Sequence, residues 1–76
     1  MPSLPMLKAR ELVAVLLKMG FNLARQRGSH ALFKHPDGRV VTIPVHPAAD
    51  IGRGLLRKIL RDADLSEDEL LRLLKE

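Results

Sequence analysis

The chain has no cysteine, no tryptophan and no tyrosine, and its 76 residues include only two phenylalanines. Without cysteine there is no disulfide framework and no thiolate metal site. With so few aromatic residues the core has to be aliphatic. No apolar run approaches the ~18 residues that suggest a membrane-spanning helix. The opening stretch, MPSLPMLKARE, lacks the charged head, apolar stretch and small-residue cleavage site of a secretion signal. These absences predict a soluble, cytoplasmic protein with no membrane partner. The length predicts a single domain over residues 1–76, with a modest core and a thin stability margin. Metal ligands are scarce too. The three histidines show no helical or short-range ligand spacing, and the acidic run Glu67-Asp68-Glu69 suits a helix N-terminus better than a ligand set. No metal and no cofactor are expected.

What the chain does have is positive charge, unevenly placed. The formal net charge is +4, but residues 1–61 carry eleven Lys/Arg against three Asp/Glu, and residues 62–76 carry two against six. The body is therefore +8 and the tail −4. A basic body favours polyanions such as nucleic acid.

Hydrophobic periodicity predicts an α-β-β-β-α-α order. A first helix runs from Lys8 to Met19, with Ala9, Leu12, Val13, Leu16 and Leu17 as its apolar stripe. Gly20 stops it. Its N-cap is weak or comes from Ser3 at a distance. Phe21 to Gln26 reads as a strand with Phe21 and Leu23 on one face. A turn at Arg27-Gly28 leads to a second strand, Ser29 to His35, and Pro36-Asp37-Gly38 makes the next turn. The third strand, Arg39 to Val45, alternates Val41, Ile43 and Val45 with Val40, Thr42 and Pro44, and Pro44 belongs at an edge or a strand end. Asp50 is a plausible cap for a second helix from Ile51 or Gly52 to Ala63, with Leu55, Leu56, Ile59, Leu60 and Ala63 buried. Ser66 and Glu69 form a capping box that opens a third helix reaching Lys75. The predicted architecture is α+β: one three-stranded antiparallel sheet with helices on one face.

The chemistry concentrates between Arg25 and Arg39. Strand alternation puts His30, Leu32 and Lys34 on one face and Ala31, Phe33 and His35 on the other. If Phe33 faces the core, His30 and Lys34 face out, near Arg25 and Arg27. A histidine can move protons in general acid–base catalysis, worth ~10²–10⁴-fold per group. RNA cleavage needs such groups: a base for the 2′-hydroxyl proton, an acid for the leaving 5′-oxygen, and cations on the phosphate. DNA lacks that internal nucleophile. From spacing alone an idle surface histidine stays an open alternative. His46 is a candidate second acid/base, or a turn residue before Pro47. His35 is expected to be structural or solvated. Gly28 and Ser29 offer backbone N–H groups that a phosphate can approach closely. Arg53, Arg57 and Arg61 recur every four residues as a cationic helix stripe, either a track for phosphates or a solvated face.

Taken together, these segments resemble a known family. Gly20-Phe21, the run from Arg25 to His30, His35-Pro36-Asp37-Gly38, the run from Thr42 to His46, and the run from Gly54 to Leu60 resemble, in order and spacing, the HicA-type toxins of toxin–antitoxin pairs. The resemblance covers nearly the whole chain. It implies a fold like a double-stranded-RNA-binding domain, cleavage of mRNA that stops translation, a catalytic histidine at His30, and a HicB-type antitoxin that masks it. Relatives often carry Ser or Thr where this chain has Lys8, which predicts first-helix capping weaker by ~1 kcal/mol. Aromatic residues common near the hairpin are reduced to Phe33, so backbone contacts should dominate over base stacking. The reading is a metal-independent endoribonuclease. Arg25, Arg27 and Lys34 would hold the scissile phosphate, Ser29 would orient the substrate, and the Arg53/Arg57/Arg61 helix would position the RNA. The alternative is a non-catalytic RNA-binding module of the same fold. A DNA-binding regulator is a weaker third reading, because no helix-turn-helix pattern is present.

Overall fold

The computed structural model describes residue 4, residues 6–45 and residues 50–76. Ser3 and His46 lie outside the described residues. The elements are β1 (Leu7–Lys8), α1 (Ala9–Lys18), β2 (Asn22–Arg27), β3 (His30–Lys34), β4 (Val40–Pro44), β5 (Asp50–Ile51), α2 (Arg53–Ala63) and α3 (Glu67–Lys75). β2, β3 and β4 form an antiparallel sheet in that spatial order. The expected α+β arrangement is present. The sequence gives no cue to a second, two-stranded ribbon in which Leu7 pairs with Ile51 and Lys8 with Asp50. Two residues per strand are too few to show an alternation.

α1 begins without a side-chain cap. Instead the Lys8 N–H donates to Glu11 Oε1 at 2.9 Å, which is half of a capping box. The helix ends in a Schellman motif. Phe21 N–H donates to Leu16 O and Gly20 N–H to Leu17 O, with Gly20 at φ +102°. That φ is what requires glycine there. The buried stripe is Ala9, Leu12, Val15 and Leu16, and Leu17 is 52% exposed. The stripe is rotated from the expected one because α3 packs along α1, where Val15, Leu73 and Leu74 line a shared groove.

α2 buries Leu56, Ile59, Leu60 and Ala63, whereas Leu55 is partly exposed. Those four already make a complete i, i+3, i+4, i+7 stripe, and Leu55 lies roughly 100° off its neighbour Leu56. Gly52, not Asp50, is its N-cap; Asp50 sits in β5 and pairs its carboxylate with Lys8 at 2.7 Å. α3 starts as expected, with Ser66 Oγ accepting from the Glu69 N–H at 3.1 Å.

The core is aliphatic apart from Phe21 and Phe33. Ala31, Phe33, Val41 and Ile43 are buried on one face of the sheet. α1 and α2 pack against β4. β2 receives no such cover, and all six of its residues are exposed.

Candidate functional site

The uncovered face of the sheet carries four of the predicted residues, Arg25, Arg27, His30 and Lys34. Register defines it. Ala31 and Ile43 are buried partners, as are Phe33 and Val41, so the alternate rows face outward. Those rows are Arg27–His30–Pro44, Arg25–Leu32–Thr42 and Asn22–Lys34–Val40. Arg25, Arg27, His30 and Lys34 thus share one exposed face, and cross-strand neighbours there stand about 5 Å apart.

Two local features of β2 make this possible. The first is the turn. It occupies Gly28-Ser29, one residue later than expected, so Arg27 closes β2 directly opposite His30. Gly28 has φ +55°, the conformation that favours glycine at the first position of a tight hairpin. Ser29 O accepts from Val45 N–H at 2.6 Å, which ties the turn to the end of β4. The second feature is a bulge. The register shifts between Leu23 and Arg25, leaving Ala24 as the extra residue. Leu23 and Arg25 are two apart and would share a face in a regular strand. The extra residue instead sends Leu23 to the covered side, opposite Phe33, and Arg25 to the open side, opposite Leu32. Leu23 is still 52% exposed, because α1 and α2 pack chiefly against β4 and not β2.

No ion pair among the described residues engages Arg25, Arg27 or Lys34. Their charges face solvent, and His30 is exposed on the same face, directly opposite Arg27. An exposed imidazole can exchange protons with a bound ligand, and cations on the same face can stabilise negative charge on it.

The Arg53/Arg57/Arg61 stripe is exposed as expected, but the structure does not join it to this group. It lies on the flank of α2, which packs against the covered side of the sheet. Arg53 also donates from Nε to Leu4 O at 3.2 Å. Sequence reasoning did not single out Leu32, Thr42 and Val40 as site residues. The alternation of the third strand was the signal available for them.

His35 belongs to a different place. It points to the covered side, and its side chain is only 18% exposed. Its Nε2 lies 3.0 Å from Met19 O, and its Nδ1 accepts the Asp37 N–H at 3.1 Å. That pair of contacts sets Nε2–H as the donor. Its ring meets Phe21 edge-on at 5.1 Å, and Arg39 stacks 5.2 Å from the Phe21 centroid. Arg39 Nε pairs with the Asp37 carboxylate at 2.9 Å, and its guanidinium donates to Ala63 O. Side-chain and backbone hydrogen bonds from Arg39 hold the Asp37 carboxyl below its ordinary range.

The molecule is therefore of a recognisable class: a small α+β domain with helices on one side of a three-stranded sheet and a basic, histidine-bearing face on the other. The chain belongs to the HicA family. The family model described as the HicA toxin of bacterial toxin–antitoxin matches residues 9–65. That span runs from the start of α1 past the end of α2 and contains every open-face residue named above. No curated protein matches the chain. The family makes this chain a toxin that pairs with an antitoxin. Among the described residues no helix is long and apolar enough to cross a membrane, and no three His, Cys, Asp or Glu residues are grouped to hold a metal.

Proposed function

We propose that the chain is a metal-independent endoribonuclease, a single domain over residues 1–76 that acts in the cytoplasm on mRNA and is held inactive by a HicB-type antitoxin. The observation that carries this reading is the outer row Arg27–His30–Pro44 on one face with Arg25 and Lys34, an exposed imidazole among cations that form no ion pair among the described residues. His30 takes the proton of a ribose 2′-hydroxyl. The 2′-oxygen attacks the adjacent phosphorus, and the bond to the 5′-oxygen breaks. The products are a 2′,3′-cyclic phosphate and a 5′-hydroxyl. Arg25, Arg27 and Lys34 stabilise the charge that builds on the phosphate. Gly28 and Ser29 hold the strand beside His30 through backbone N–H groups and the serine hydroxyl. Arg53, Arg57 and Arg61 bind the RNA away from the scissile bond. The leaving oxygen needs a second proton-transfer group, and His46 is the first candidate for it.

One observation favours a second reading, a non-catalytic RNA-binding module. Among the described residues the three outer rows hold a single imidazole and no carboxylate. One experiment separates the two. RNA is incubated with wild type and with His30→Ala, each with and without EDTA. Cleavage by wild type alone, unaffected by EDTA and leaving cyclic phosphate ends, supports the nuclease. Salt-sensitive RNA binding with no cleavage by either protein supports the module.

A further inference from the structure

The open face is graded across its strands. The β2 column supplies Arg25 and Arg27, the β3 column supplies His30, Leu32 and Lys34, and the β4 column supplies Val40, Thr42 and Pro44. Charge therefore falls from one edge to the other. Two cations lie at β2, one cation and the imidazole lie on the central β3, and a neutral edge follows at β4 that carries one hydroxyl. Thr42 is exposed, and its hydroxyl makes no hydrogen bond to the described residues. It sits directly opposite Leu32, about 5 Å away, and diagonally from His30, about 7–8 Å away and within reach of one bound nucleotide.

We infer that this gradient sets how RNA lies on the face, and that Thr42 is a further substrate-binding residue that reads ribose. The inference rests on the nuclease reading above. With a phosphate over Arg25 and Arg27, and His30 at the reactive 2′-oxygen, the sugars and base edges extend toward β4. Among the described residues the β4 edge of this face holds no cation to draw the phosphate across. The Thr42 hydroxyl can donate to, or accept from, the 2′-hydroxyl of a nucleotide flanking the cleaved one. The 2′-hydroxyl is the group by which a protein tells RNA from DNA. The half-buried Leu32 and the exposed Val40 give the sugar an apolar surface beside it.

The test pairs Thr42→Val with matched substrates. Valine keeps the β-branched shape and the strand preference and removes only the hydroxyl. The cut is first mapped with wild type on an all-ribose oligonucleotide. A second oligonucleotide then carries 2′-deoxy sugars on both sides of the cut nucleotide and ribose at it. For wild type the deoxy sugars should raise KM about fivefold with little change in kcat. Thr42→Val should show a similar rise on the all-ribose substrate and little further loss on the flanking-deoxy one. The inference is overturned if Thr42→Val matches wild type on all-ribose RNA, or if the two losses multiply as independent effects. Failure of wild type to cut any RNA would sink the nuclease reading, and this one with it. Normal cutting with independent losses would sink this one alone.

Discussion

Two histidines five residues apart on one hairpin stand in opposite situations. His30 is exposed on the open face, beside Arg25, Arg27 and Lys34. His35 is mostly buried, with both ring nitrogens engaged and Phe21 against its edge. The odd spacing between them puts them on opposite sides of the strand. The lesson is one of availability. A ring whose nitrogens are already used fixes structure, and an exposed ring with no hydrogen bond to the described residues can act on a ligand. The His35 corner also gathers three ends of the fold: the C-terminus of α1 through Met19 O, the β3–β4 turn through Asp37, and the C-terminus of α2 through Ala63 O.

The strongest way to break this contrast is to exchange the two losses. His30→Ala should reduce RNA cleavage by ~10²–10⁴-fold and leave unfolding free energy within ~0.5 kcal/mol of wild type. Chemical denaturation and a cleavage assay on the same preparation check both halves. His35→Ala should do the reverse. It strips two hydrogen bonds and an aromatic contact from a mostly buried corner, which costs about 2 kcal/mol, while the folded fraction keeps its activity. Gly20→Ala sharpens the picture of the corner. A Cβ there would stand 3.1 Å from His35 Nε2 at a φ of +102°, so about 1–2 kcal/mol should be lost. His35→Ala should remove the steric part of that loss, so the double variant should be less destabilised than the sum of the singles. The smallest effect is acidic. Asp37 has its pKa lowered in the folded state by Arg39, so its contribution is present above its unfolded value near pH 4 and disappears as pH falls through the folded value. The thermal midpoints of wild type and Asp37→Asn should differ at neutral pH and converge in acid.

Much of this arrangement is legible in the sequence. Alternation alone places His30 and Lys34 opposite Phe33 and His35, and the SEDE run marks the start of α3. Pro44 declares the end of an edge strand. What is not legible comes from contacts that local pattern does not encode. The stripe on α1 includes Val15 rather than Leu17 because α3 docks there. Asp50 looks like a cap but is drawn into the ribbon with Lys8. The bulge at Ala24 is hidden because Phe21, Leu23, Arg25 and Arg27 all have the same parity. Only pairing with β3 shows that the apolar pair and the basic pair separate. The arginine stripe on α2 is readable as a stripe, but its separation from His30 depends on which side of the sheet that helix covers.

The most direct test of the central claim is chemical-shift mapping of backbone amides during titration with a short double-stranded RNA at low salt. Perturbation should centre on Arg25, Arg27, His30, Leu32, Lys34 and Thr42, with smaller shifts along Arg53, Arg57 and Arg61 and with Gly20, Phe21, His35 and Arg39 unmoved. Perturbation confined to the His35 corner or to the α2 stripe, with the open face silent, would contradict it.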